Sequence, residues 1–317
     1  MLRQKRVRPL VALTVILILN LSAAGQAAGD KKKKKATPQG TPVLWQPPRD
    51  IASRNLFLGP GGAAMRPNLK GITFLKDEEG GYSQKFRVRD ASGREWVAKV
   101  GKEAQSETAA VRLLWAAGYV TEINYLTPRV NIRGKGSFEN VRFEARPKNI
   151  KRLDEWKWKE NPFTGTREFQ GLKVMMVLLN NWDIKDSNNQ IFFVPDARRG
   201  NQLRYVISDL GATFGKTGSL PLFWRITRSR NNPEDYEDAK FIDGVKEGYV
   251  DFHYGGKNRG ILDNITVGEA RWLGTLLSRL SERQLADAFR AANYEPDEVR
   301  ILTEAVRERI NGLVNLR

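Results

Sequence analysis

The hydrophobic pattern changes period part-way along the chain, and this switch most constrains the fold. Three short runs, Gly71-Ile-Thr-Phe-Leu75, Lys85-Phe-Arg-Val-Arg89 and Glu95-Trp-Val-Ala-Lys-Val100, alternate in the manner of strands. They are separated by turn-forming stretches, Asp77-Glu-Glu-Gly-Gly81 and Asp90-Ala-Ser-Gly93, and together predict a small antiparallel meander. From Ser106 the spacing of Ala110, Val111, Leu114 and Trp115 becomes helical, with Gly118 as a stop. Strand character returns over 125–148, where Val141-Arg-Phe-Glu-Ala145 alternates. After a loop from Trp156 to Gly165, Thr166 starts a helix carrying Phe169, Leu172, Val174, Met175, Met176, Leu178 and Leu179, apolar enough to be buried.

The runs Gln190-Ile-Phe-Phe-Val194 and Leu203-Arg-Tyr-Val-Ile207 then predict a hairpin. An irregular stretch covers 211 to about 264. Capping boxes at Thr266-Val-Gly-Glu269 and Ser281-Glu-Arg-Gln284 open two helices, and a last amphipathic helix runs from Pro296 to Val314. No internal repeat is visible. The order predicts an α+β chain: a β-rich lobe over 68–150, then a helical lobe over 151–317 with one hairpin inserted.

Composition removes several classes of function. Of 317 residues, none is cysteine and one, His253, is histidine. Disulfides, thiolate metal sites, cysteine nucleophiles and multi-histidine metal centres are therefore excluded. Lys and Arg number 53 against 36 Asp and Glu, a net charge of +17, which suggests an anionic partner until the charge is located. Four of these positive charges, Arg3, Lys5, Arg6 and Arg8, head the chain, and five more are Lys31 to Lys35; without them the excess is +8. No basic stripe remains in the body, so a specific nucleic-acid partner is not expected.

The basic head, the apolar run from Leu10 and the small residues after it predict a signal peptide or anchor over 1–28, cleaved between Gly25 and Asp30 and directing export to the periplasm or medium. The five lysines oppose translocation, so an uncleaved, membrane-tethered form is the alternative. Residues 29–67 read as a basic, Pro/Gly-rich linker, with Lys31–Lys35 either solvated or touching an anionic membrane.

Four elements fall in an order that phosphoryl transfer requires. Lys99 ends a strand, and Glu107, eight residues on, offers it a carboxylate partner from a helix. Asp183-Ile-Lys185-Asp-Ser-Asn188 follows the buried helix, and Ser208-Asp209-Leu-Gly211 follows the hairpin. Asp209 and Asn188 supply the oxygen ligands that Mg²⁺ prefers. Asp183 is placed to orient a hydroxyl and accept its proton, and Lys185 to neutralise the moving phosphoryl. Gly80, Gly81 and Ser83, in the turn between the first two strands, could cradle phosphates.

These residues resemble the protein-kinase-like superfamily. Val97-Ala-Lys99 is similar to its third-strand lysine motif, Asp183-Ile-Lys-Asp-Ser-Asn188 to its catalytic loop, and Asp209-Leu-Gly211 to its metal-binding Asp-Phe-Gly, over about residues 71–290. The resemblance implies a two-lobed protein-kinase-like fold, with a small antiparallel β N-lobe and a helical C-lobe. It implies ATP and Mg²⁺ as cofactors and transfer to a hydroxyl of a lipid, protein or small molecule, the acceptor being unknown. Asn181-Trp182 replaces the family's His-Arg, the glycine loop is not Gly-x-Gly-x-x-Gly, and no Ala-Pro-Glu follows. Those departures fit atypical members, whether phosphatidylinositol 3-/4-kinase-like, bacterial or secretory. An exported chain meets little ATP, so an inactive kinase-like binding or scaffolding protein is the alternative.

Gly211-Ala-Thr-Phe-Gly215-Lys-Thr217 is one residue short of a Walker A loop and lacks its helix, so it reads as the segment after Asp209. His253 reads as a packed loop residue. Trp224, Arg225, Arg228 and Arg230 suit a substrate-binding segment as well as a single-strand nucleic-acid surface.

Overall fold

A computed structural model describes residues 38–80, 83–198, 200–218 and 227–317. A short strand β1 (Thr41–Val43) and three 3-10 turns (Ile51–Ser53, Gly59–Gly61, Ala63–Met65) lead into β2 (Ile72–Asp77), β3 (Lys85–Arg89) and β4 (Glu95–Lys99). Helix α1 (Glu103–Ala116) and strands β5 (Asn124–Arg133) and β6 (Gly136–Ala145) follow. The expected meander is present, but it does not stay open: β2 also pairs in parallel with β5 through Ile72–Ile132, giving a closed order β2-β3-β4-β6-β5.

Alternation sorts these strands into two faces. Phe86, Val88, Trp96, Ala98, Val141 and Phe143 are fully buried inside the barrel. The opposite face carries Lys85, Val97, Lys99, Arg142 and Glu144, which line a cleft. β4 is buried on both faces from Trp96 to Lys99, and on its outer side Lys99 meets Glu103 and Glu107 of α1.

The helical part holds β7 (Lys151–Arg152), α2 (Arg167–Leu178), the hairpin β8 (Asn189–Val194) and β9 (Gln202–Ile207), α3 (Pro233–Asp238), the hairpin β10 (Ile242–Lys246) and β11 (Tyr249–Phe252), and α4 (Val267–Leu277), α5 (Glu282–Arg290) and α6 (Pro296–Val314). Thr166 caps α2 by accepting from Phe169 N–H, and both expected capping boxes form. A third, Glu295 with Glu298, opens α6. The stretch after 211 is less irregular than its sequence suggests, since α3 and the β10–β11 hairpin lie within it.

The linker expected over 29–67 is corrected over its described part. β1 adds in parallel to β9 in a sheet of order β1-β9-β8-β7. Leu44, Ile51 and Leu56 join the main core, and Gln284 donates to the carbonyls of Ile51 and Arg54. The polar, Pro/Gly-rich composition of this segment hid three apolar anchors spaced too irregularly to register as a period. Gly118, the expected helix stop, has φ +94° and lies against this segment: a Cβ there would sit 2.4 Å from Gln46 O.

Among described residues no helix is long and apolar enough to cross a membrane. The expected signal peptide or anchor and Lys31–Lys35 lie outside the described residues.

Ile51→Ala should cost about 2–5 kcal/mol, as buried aliphatic truncations do. Urea unfolding reads this as a lower midpoint; an unchanged midpoint would make 38–67 dispensable to the core.

Candidate functional site

The cleft face of the barrel sets three cations side by side. Register pairs Lys85 with Lys99 and Lys99 with Arg142 on neighbouring strands. Like charges in directly opposed positions destabilise a sheet unless acids meet them. Helix α1 supplies the acids: Glu103 and Glu107, four residues apart, share a face. Lys99 Nζ lies 2.8 Å from Glu107 Oε2 and 2.9 Å from Glu103 Oε2, while Arg142 reaches Glu107 Oε1 at 3.0 Å and Glu144 Oε2 at 2.9 Å. Burial pushes the Lys99 ammonium down, but Glu107, Asp209 and Glu103 outweigh it and hold its pKa above the ordinary lysine range. Burial pushes the fully enclosed Glu107 carboxyl up, against the pull of Arg142 and Lys99.

The helical side contributes Asn188 and Asp209, which the β8–β9 hairpin brings together. The N–H groups of Ser208 and Asp209 both donate to the Asn188 carbonyl, at 2.7 and 3.3 Å. Asp209 Oδ1 accepts from Gly211 N–H at 3.1 Å and lies 3.7 Å from Lys99 Nζ. Burial raises its pKa, but Lys99, the Gly211 N–H and Arg142 lower it further, so the net shift is downward.

Asp183 follows α2. Its backbone N–H donates to Asn181 Oδ1 at 3.1 Å, and Asn188 Nδ2 donates to its carbonyl at 2.8 Å and its Oδ2 at 3.3 Å. Two ammonium groups clamp its carboxylate, Lys257 Nζ at 2.6 Å and Lys185 Nζ at 3.0 Å. Burial raises its pKa, the hydrogen bonds from Lys257 and Lys185 lower it, and the net direction is downward.

A cavity of about 340 Å³ is lined by Lys85, Lys99, Glu107, Arg142, Asn188 and Asp209 among others, with Lys185 and Ser208 at the helical side. Nε and one Nη of Arg142 are buried there without a protein partner, which suits an anionic ligand. A wider groove of about 1250 Å³ opens past Ser83, Glu103, Trp182, Arg230 and Lys257. Towards Pro147 a chamber of about 390 Å³ has Ile150, Phe192, Val194 and Val206 among its walls. It shares Arg146 and Arg152 with the first cavity, and both arginines pair with Glu144, Arg152 at 2.8 Å. Arg152 also pairs with Glu122.

Of the residues expected from sequence, Lys99, Glu107, Lys185, Asn188 and Asp209 line one cavity, and Asp183 joins them through Asn188 and Lys185. Ser83 faces the groove, donating to Glu103 Oε2 at 2.7 Å, and Gly80 lines neither space. Gly81, Trp224 and Arg225 lie outside the described residues. His253 is half-exposed, 3.1 Å from Asp243, rather than packed. Lys216 of the Walker-like stretch is engaged by Asp235 at 2.7 Å.

Glu103, Arg142, Glu144 and Lys257 were missed, whereas Arg230, expected in a substrate-binding segment, lines the groove. The i, i+4 spacing of Glu103 to Glu107 and the alternation of Arg142 with Glu144 were signals that could have found three of them. Lys257 reaches the site only through the fold.

Strand and element order make this an α+β fold, a closed five-stranded barrel followed by a largely helical part, with the α1 carboxylates set against Lys99 and one hairpin uniting Asn188 with Asp209. No protein-family model and no curated protein matches the chain. Among solved structures, the proinflammatory kinase CtkA of Helicobacter pylori is similar at 10% identity over 75% of this chain and 89% of its own, with a TM-score of 0.44. The Rio2 kinase of Chaetomium thermophilum, solved as an ADP/Mg²⁺-phosphoaspartate complex, is similar at 12% identity over 78% of this chain and 74% of its own, with a TM-score of 0.31.

Lys257→Met should raise the Asp183 pKa by removing one of its two cations. A depressed carboxyl pKa adds stability above its unfolded value and loses it as pH falls through the folded one. The variant should therefore lose stability relative to wild type near neutral pH, and the gap should close on acidification. Carboxyl-carbon NMR titration with urea unfolding at several pH values checks both.

Proposed function

We propose that this chain is an ATP- and Mg²⁺-dependent phosphotransferase acting on a hydroxyl of a lipid, protein or small molecule. The observation that carries this reading is the convergence of Lys99, Asn188, Asp209 and the buried, unpartnered nitrogens of Arg142 on one cavity. Lys99, fixed by Glu107, holds nucleotide phosphate oxygens, and Arg142 adds donors beneath them.

Asp209 and the Asn188 amide oxygen suit Mg²⁺, which takes oxygen ligands and usually one or two carboxylates plus phosphate and water. When bound, Mg²⁺ supplies charge neutralisation at the phosphate oxygens.

Asp183 orients the acceptor hydroxyl and takes its proton as that oxygen bonds to the terminal phosphorus and the bond to the nucleotide's bridging oxygen breaks. Lys185 and Lys257 offset charge at the point of transfer. Their pull on Asp183 keeps it ionised but makes it a weak base, so orientation is its larger role.

A second reading, an exported kinase-like scaffold, draws on the Arg146–Glu144–Arg152 pairs that stand between the polar cavity and the chamber beside it, walled in part by Ile150, Phe192, Val194 and Val206. The N-terminal pattern of basic head, apolar run and small residues favours export. Fractionation with N-terminal sequencing tests it: a periplasmic product beginning between residues 25 and 30 supports the scaffold, because ATP is scarce there.

Nucleotide-induced thermal shift separates the two. At a hundredfold excess over Kd, ATP with Mg²⁺ should stabilise wild type by about 2.7 kcal/mol. Asp209→Ala should lose the Mg²⁺-dependent part, and no shift in the wild type would sink the phosphotransferase reading.

A further inference from the structure

Glu103 makes contacts that the Lys99–Glu107 pair does not need. Its Oε2 accepts from Lys99 Nζ at 2.9 Å and from Ser83 Oγ at 2.7 Å, and its Oε1 pairs with Arg230. Three donors thus converge from three elements: the end of β4, the glycine-rich turn before β3, and the segment that follows Asp209-Leu-Gly211. An ammonium, a hydroxyl and a guanidinium meeting at one point form the donor set of a phosphate. Glu103 is only 8% exposed. It lies on the backbone of Gly211, where a Cβ would come within 2.8 Å of Glu103 Cβ and 2.9 Å of Cδ, so glycine is required for the side chain to take this course.

Its location is as informative as its partners. Lys99 lines the polar cavity, whereas Ser83, Glu103 and Arg230 line the wide groove. Glu103 therefore stands at the junction of the two spaces, where a terminal phosphoryl group held in the cavity would meet an acceptor arriving by the groove. Lys99 already has Glu107 at 2.8 Å, and Arg142 is shared between Glu107 and Glu144. The local charge is balanced without Glu103 once a phosphate is present.

We propose that Lys99, Ser83 and Arg230 form the seat of the transferable phosphoryl group, and that the Glu103 carboxylate fills that seat until a polyphosphate displaces it. This rests on the phosphotransferase reading and adds two things to it: Arg230 as a phosphoryl-binding residue and Glu103 as an internal competitor. A ligand whose site is free only part of the time binds with its affinity reduced by that fraction, so removing the competitor tightens binding.

Calorimetry with Mg²⁺·ATP, inorganic tripolyphosphate and adenosine tests this on the full chain. Glu103→Gln should bind ATP and tripolyphosphate about tenfold more tightly, as expected when an occluding conformer is removed, with adenosine unchanged. Glu103→Asp, which keeps the charge but shortens the reach, should tighten binding in the same direction and guards against misfolding of the first variant. Arg230→Met in the Glu103→Gln background should erase the gain.

If ATP binds the wild type and both Glu103 variants bind it equally or more weakly, the side chain is structural and this inference is overturned while the phosphotransferase reading stands. If neither ATP nor tripolyphosphate binds any of these proteins, that reading fails and the inference falls with it.

Discussion

The site depends on how a row of cations, two of them buried, is compensated. Lys85, Lys99 and Arg142 are cross-strand neighbours on the cleft face of a closed barrel, and a sheet with three positive charges abreast does not form unless carboxylates meet them. Glu107 does most of this, touching Lys99 with one oxygen and Arg142 with the other. That double contact fixes α1 against the barrel, and α1 in turn brings Glu103 over Gly211 and Ser106 Oγ to the Gly211 carbonyl, 3.1 Å away. The Asp209 turn is thereby tied to the β-rich lobe through one helix. Losing the Glu107 carboxylate would leave two buried cations short of a partner, a costlier change than losing an exposed ion pair.

The helical lobe is held by a different physics. Its core is apolar, with α2 enclosed on nearly all sides, and its polar ties are backbone carbonyls met by buried side chains. Arg309 of α6 donates to the carbonyls of Leu178, Tyr236 and Ala239 and to Asn180 Oδ1, joining the end of α2 to α3. Tyr236 OH donates to the same Leu178 carbonyl. These bonds set where α2 ends, and hence where Asp183 begins its loop. A rigid helix end on one side and an ion-paired helix on the other hold the two halves of the site within a few ångströms of each other, Lys99 Nζ lying 3.7 Å from Asp209 Oδ1.

The elements with strong local signals were legible in the sequence: the alternating strands, the capped helices at 166, 266 and 281, and the order of Lys99, Glu107, Asp183, Asn188 and Asp209. The strands and caps are short-range patterns of two to eight residues carried by local backbone preferences, and the five site residues were legible as residue types in order along the chain. The segment 38–67 was not legible, because its core residues are scattered among prolines and glycines and find partners only across the chain. The third capping box escaped because a glutamate, rather than a serine or threonine, occupies the cap.

The sequence by itself determined the inventory: no thiol chemistry, one histidine, a charge excess gathered at the N-terminus, and a lysine, two aspartates and an asparagine in an order suited to phosphate. Only the tertiary structure decided which carboxylate competes for which cation. Glu103 and Glu107 are equivalent in the sequence as helix acids four residues apart, yet one is enclosed with Arg142 and the other faces Ser83 and Arg230 at the mouth of the groove. Lys257 likewise meets Asp183 from 74 residues away. Ion pairs act through distance, and distances between residues far apart in the chain are fixed by how the elements pack rather than by the order in which they are written.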